Sequence, residues 1–206
     1  MTVWFTADLH LGHGNIIRYC KRPFLSEAEL EKIEELGERG KWQISDESLR
    51  NHDDALINAI NERVDTKDML WILGDFCRGS LVTATEYRNR IACENVYLVI
   101  GNHDKTLIKP IFKDVIDQGL IEIEGQLIWL NHYPMRSWYR SHLGCWHLYG
   151  HVHGMLVPED EAADHTLTMD VGVDARDYKP VSFEEIYEYM KPREIKFKER
   201  ALMIST

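Results

Sequence analysis

Five short polar clusters punctuate this chain in a fixed order, and each follows an apolar, strand-like run. They are Asp8-Leu9-His10, Gly74-Asp75, Gly101-Asn102-His103-Asp104, Asn131-His132 and Gly150-His151-Val152-His153. The preceding runs are rich in β-branched and aromatic residues, for example Met69-Leu70-Trp71-Ile72-Leu73 and Val96-Tyr97-Leu98-Val99-Ile100. Continuous apolar runs of this length suit strands buried on both faces. One cluster alone would mean little. Five in series constrain the fold to one that gathers strand ends at a common sheet edge, where open α/β sheets bind their ligands.

The rest of the chain supports that frame. Val3 to Ala7 predicts a first strand, and residues 9–24 a Gly-containing loop. Ser26 with Glu29 three positions on predicts a helix start, the helix running toward Gly37. Ser45, followed by Asp46 and Glu47, predicts a second helix whose Leu49, Leu56, Ile57 and Ile60 face inward. A third helix is expected over 81–92. Beyond it the rhythm changes. Strands are expected at Leu120 to Glu124, Gln126 to Leu130, His147 to Tyr149 and Thr166 to Val173, with a hairpin at Gly125. A helix over 182–190 and a charged tail or strand close the chain. This predicts one domain over 1–206, with a β-α-β-α-β first half, a mostly β second half and helices outside two packed sheets.

The formal net charge of -10 argues against a broad nucleic-acid surface, which needs clustered Lys and Arg. It leaves a phosphorylated substrate open, because bound cations reverse charge locally. No apolar stretch is long enough to span a bilayer. The N-terminus reads as a strand running into a site and lacks the basic start of a signal peptide, so a cytoplasmic protein is expected. Cys20, Cys77, Cys93 and Cys145 form no CxxC pair and are expected as reduced thiols.

Asp, Asn and His are hard or borderline ligands for divalent metals. Asp8 and His10 are two apart, so an extended segment points both to one side, and His151 and His153 repeat the spacing. Gly74 before Asp75 lets backbone and metal approach closely, and Gly101 and Gly150 are expected to do the same. Apposed carboxylates need a cation: two charges about 4 Å apart repel by about 4 kcal/mol at an effective dielectric near 20. The set is too large for one closed structural zinc. Two ions sharing Asp75, about 3.5–4 Å apart, would use it fully.

The order DxH, GD, GNHD, H and GHxH resembles the calcineurin-like metallophosphoesterases. The likeness spans Asp8 to His153, and the flanks Leu11-Gly12-His13-Gly14-Asn15-Ile16-Ile17 and Asn131-His132-Tyr133-Pro134 resemble a small bacterial and phage branch of predicted phosphoesterases. The resemblance implies an α/β fold, a four-layer αββα sandwich with two mixed sheets. It implies that Asp8, His10 and His153 hold one metal, that Asp75 bridges, and that Asn102, His132 and His151 complete the second. Two divalent ions are implied as cofactors, Mn2+ first, with Fe, Zn2+ or Ni2+ also suited. A bridging hydroxide would attack phosphorus in line, and His103 would assist the leaving group. The expected function is hydrolysis of phosphomono- or phosphodiesters. The alternatives are an inactive interaction scaffold of the same fold, or a nuclease acting on short single strands or nucleotides. The expected partner is a phosphorylated small molecule or nucleotide, with no long duplex and no membrane. Asp104 stands where a Glu is often found.

Other residues admit plainer roles. His13 and Asn15 either touch substrate or fix their loop by hydrogen bonds. Among Arg18, Lys21, Arg22 and Arg136, each read first as surface charge, Arg136 is the best candidate for gripping a phosphate. His52, beside Asp53 and Asp54, reads as a solvated helix face, and His142, His147 and His165 as surface or structural. Trp4, Trp71 and Trp129 read as core. Trp138 and Tyr139, on a loop near the site, are candidates for substrate contact.

Overall fold

The computed structural model describes residues 1–204. Strand β1 (Val3–Thr6) is followed by helices α1 (Gly14–Tyr19), α2 (Glu27–Leu36) and α3 (Asp46–Arg63). Then come β2 (Met69–Ile72), α4 (Leu81–Arg90), β3 (Asn95–Val99), β4 (Val115–Ile116), β5 (Gln118–Ile123) and β6 (Gln126–Asn131). The chain continues through β7 (Trp146–Tyr149), α5 (Val157–Ala162), β8 (Thr168–Asp170), β9 (Val181–Ser182) and α6 (Phe183–Ile204).

Both sheets are mixed. The first has the order β4-β3-β2-β1-β9, with β1 to β4 parallel and β9 antiparallel to β1. The second has the order β5-β6-β7-β8; the β5–β6 hairpin is antiparallel and β6, β7 and β8 run parallel. Side-chain alternation explains the layers. Leu70, Ile72, Val96 and Leu98 face the helices and pack with Leu56, Ile57 and Ile60 of α3. Phe5, Trp71, Leu73 and Val99 face the other way and meet Ile128, Leu130, Trp146, Leu148 and Met169 of the second sheet. Phe183, Ile186 and Met190 of α6 join that inter-sheet core. The far face of the second sheet is covered by the loop after β6, which sets Trp138 against His147 (ring centroids 5.1 Å) and Tyr139 against Trp129 (6.1 Å).

The expected helix starts are present. The Glu29 carboxylate accepts from the Ser26 backbone N–H at 2.9 Å, and the Ser45 hydroxyl accepts from the Ser48 N–H at 3.1 Å. Four features differ from the sequence expectation. The loop 9–24 contains α1, whose six residues are too few to show a period. Two-residue strands β4 and β9 add an edge to each side of the first sheet. Thr166 to Val173 forms only the short β8 before a 3-10 turn. The C-terminal segment is no tail or strand: α6 runs past Pro192 to Ile204. Tertiary anchors hold it there, since Arg193 donates to the Asp160 carbonyl at 2.8 Å and Glu194 accepts from the Trp146 indole at 3.0 Å.

Candidate metal centre

Every expected ligand, and His103 with them, sits just past the carboxyl end of a strand. Asp8 and His10 follow β1, Asp75 follows β2, Asn102 and His103 follow β3, His132 follows β6, and His151 and His153 follow β7. Those five strands run parallel within their sheets, so their ends share one edge.

The side chains converge. Asp75 Oδ2 lies 3.4 Å from His10 Nε2 and 3.5 Å from His132 Nε2. Asn102 Oδ1 lies 3.0 Å from both His132 Nε2 and His151 Nδ1. The His10 and His153 rings stack at 5.3 Å. Ligand atoms of Asp8, His10 and His153 fall within 4.8 Å of one another, and so do those of Asp8, Asp75 and His132. The floor is buried (Asp8, His10, Asp75, His132), whereas Asn102 and His103 are exposed at the rim.

The donor set fits cations. Asp8 Oδ1 and His10 Nε2 are buried with no hydrogen-bond partner among the described residues. Orphaned buried polar atoms are costly, and a bound cation would satisfy both. Backing contacts aim the imidazoles. His132 Nδ1 is 2.8 Å from the Leu73 carbonyl, an acceptor only, so Nδ1–H donates there and the ring is held with Nε2 facing the site. His153 Nδ1 is likewise 2.7 Å from Asp174 Oδ2.

Local strain marks the same residues. Asp8, His10, Asp75, His151 and His153 all have positive φ, between 50° and 72°. A left-handed conformation costs a non-glycine residue roughly 1–2 kcal/mol, so five at one site need a compensating interaction. Two glycines make the close approach possible. A Cβ on Gly101 would fall 2.3 Å from Asp75 Oδ1, and one on Gly74 would fall 2.3 Å from His132 Nδ1.

Burial and charge work against each other here. Burial pushes the Asp8 carboxyl up to about 7 despite nearby His153 and His132. Burial drives His10 down to about 2, leaving a neutral imidazole. Burial also acts upward on Asp75, but the hydrogen bond and charge of His132 outweigh it and hold Asp75 at about 2. For His153, burial acts downward and the Asp174 hydrogen bond wins, raising it to about 10.

Several supporting residues were not expected from the sequence. Asp104 is a loop staple: its carboxylate accepts from the N–H groups of Asp75 (2.8 Å), Phe76 (2.9 Å) and Gly101 (2.9 Å). Arg22 is not surface charge but is 1% exposed. It donates to the carbonyls of Asp8 (2.8 Å) and Leu9 (3.2 Å) and forks onto Asp174 at 2.8 and 2.6 Å. Arg18 is buried too and donates to the Gly40 and Trp42 carbonyls. His52 is no solvated face: it is fully buried, 2.8 Å from Arg22 Nη1 and 2.8 Å from Asp53 Oδ1. Burial keeps its pKa low, so Nε2 accepts from Arg22 and Nδ1–H donates to Asp53. His147 is fully buried against Trp138. No spacing pattern links Arg22 to Asp174, which are 152 positions apart.

His13 is brought to the centre, with its ring 5.4 Å from His10 and 5.8 Å from His103. Asn15 lines the same cleft as His13. Arg136 stands apart. It lines a different cavity of about 560 Å³ with Trp138, and none of the expected ligands lines that cavity. The four cysteines are free. No described helix is long and apolar enough to cross a membrane.

Residues 1–199 match the sequence profile of the calcineurin-like phosphoesterases. The uncharacterized protein MJ1445 of Methanocaldococcus jannaschii is 28% identical over 192 residues, covering 92% of this chain and 91% of that one. The Gene 66 protein of Mycobacterium phage D29 is 28% identical over 116 residues, 54% of this chain and 44% of the phage protein. Among solved structures, the protein of unknown function AQ665 from Aquifex aeolicus superposes with a TM-score of 0.65 at 22% identity, covering 91% of this chain and 98% of that one. A chain matched by that profile over residues 1–199 belongs to the calcineurin-like phosphoesterase family.

Proposed function

We propose that this protein is a dinuclear metal-dependent phosphoesterase acting on phosphomono- or phosphodiesters. The observation that carries the proposal is two adjoining ligand groups, Asp8-His10-His153 and Asp8-Asp75-His132, which share Asp8, with Asp75 Oδ2 3.4 Å from His10 and 3.5 Å from His132. Asp8, His10 and His153 would hold one ion, Asp75 would bridge, and Asn102, His132 and His151 would complete the other. Two bound divalent cations would supply Lewis-acid charge for the phosphoryl oxygens and water of lowered pKa. Mn2+ is our first choice; Fe, Zn2+ and Ni2+ suit the same donors.

The chain's own residues supply the rest. His103 is exposed at the rim, its ring 5.2 Å from that of His10, and its backbone N–H donates to Asp75 Oδ1 at 2.8 Å. That tether sets the imidazole beside the ligands without making it one. It can then give a proton to the leaving-group oxygen or stabilise its developing charge. The Asp104 staple keeps the β2 and β3 loops in register, and the Arg22–Asp174 pair keeps His153 facing inward. A cytoplasmic location and a substrate of small or nucleotide type belong to the same proposal.

Hydrolysis of p-nitrophenyl phosphate and bis(p-nitrophenyl) phosphate with added Mn2+ tests it. Turnover that is lost with chelator and restored by metal supports the proposal. No turnover with any of the four metals, in a folded protein, would leave an interaction scaffold.

A further inference from the structure

We propose that the cleft beside His103 is a leaving-group subsite, and that Arg78 makes it select phosphoesters whose alcohol portion carries a second phosphate. This rests on the phosphoesterase proposal above. The cleft holds about 270 Å³ and is lined by His13, Asn15, Gln43, Ile44, Leu49 and Arg78. It adjoins the centre through His13, whose ring lies 5.8 Å from that of His103. A leaving group whose oxygen faces His103 therefore continues into this cleft.

The lining is built for a polar occupant. His13 is 8% exposed, and its Nδ1 is buried with no hydrogen-bond partner among the described residues. The Asn15 and Gln43 amides add donors and acceptors, and Ile44 and Leu49 supply apolar lining. Drug-sized ligands fill about 300–1,000 Å³, so this cleft takes a smaller group. Arg78 supplies the charge. Its backbone is fixed beside the site by its N–H, which donates to the Leu11 carbonyl at 2.8 Å. Its side chain is exposed, and it forms no salt bridge with any described carboxylate although the chain has 34 acidic residues. A guanidinium left free in so acidic a chain is available to fork onto phosphate oxygens.

The test compares Mn2+-loaded protein on the dinucleotide TpT and on its 5′- and 3′-phosphorylated forms. One phosphorylated form should show a kcat/KM about tenfold or more above that of TpT, carried by KM. Arg78→Ala should bring that ratio to about one, and Arg78→Lys should keep part of it. Equal kcat/KM for all three dinucleotides, or an equal loss on all three in Arg78→Ala, would overturn the inference. Binding provides a readout independent of turnover. Thymidine 3′,5′-bisphosphate should bind the Mn2+-loaded protein about tenfold more tightly than thymidine monophosphate, and Arg78→Ala should erase the difference. If neither p-nitrophenyl phosphate nor bis(p-nitrophenyl) phosphate is hydrolysed with any of the four metals, the phosphoesterase proposal fails, and the binding comparison still decides the role of Arg78.

Discussion

His103 and Asp174 both sit against the ligand set, yet their roles separate on measurement. His103→Ala should retain both ions while turnover falls roughly 10²–10⁴-fold, the usual worth of a positioned acid. Metal analysis after dialysis checks it, and loss of an ion would show that His103 had been a ligand. Asp174→Asn should do the reverse. It weakens the partner that fixes the His153 tautomer, so metal affinity should drop about 10–100-fold, read by titration of the metal-free protein. The clusters themselves were legible because each is contiguous and follows its own strand. Arg22, His52 and Asp174 were not. Arg22 meets His52 30 positions away and Asp174 152 positions away, and a buried arginine among backbone carbonyls has the same local sequence as an exposed one.

Helix ends show the same division. Ser26 and Glu29 announce the start of α2 within four residues, and so do Ser45, Asp46 and Glu47 for α3. What no local rule announces is that Glu29 joins the two. Its carboxylate also accepts from the Ser45 N–H at 2.6 Å and from the Ser48 hydroxyl. Burial alone would raise its pKa, but the hydrogen bonds from Ser45, Ser48 and Ser26 outweigh it and hold Glu29 at about 2. Glu29→Ala should therefore cost about 2–3 kcal/mol at neutral pH, lowering Tm by about 4–12 °C in thermal unfolding. The sign of the pH dependence follows from the lowered pKa. Glu29 contributes its full stability above about 4.5 and loses it as pH falls toward about 2, so the wild type and variant should converge in acid. A constant gap across that range would contradict the assignment. The extent of α6 was illegible for a related reason: Pro192 removes a backbone donor inside the helix, and the partners that hold the helix beyond it, Asp160 and Trp146 among them, lie far along the chain.

For the molecule as a whole, the alternation of its strands determines the layers. Parallel strands with apolar side chains on both faces must be covered twice, by helices on one side and by the second sheet on the other. That much was visible in the runs around Met69 and Val96. The two-residue strands β4 and β9 were not, because pairing with a neighbour, not composition, makes them strands. The layered fold carries loops from both sheets to one edge, and there an acidic chain of net charge -10 buries two carboxylates among imidazoles. Cations are the natural counterweight. Titration of the metal-free chain with Mn2+, followed by electron paramagnetic resonance, decides the matter. Two ions should bind per chain with an exchange-coupled signal, and Asp75→Asn should abolish the coupling. A single ion per chain, or two that never couple, would contradict the dinuclear centre.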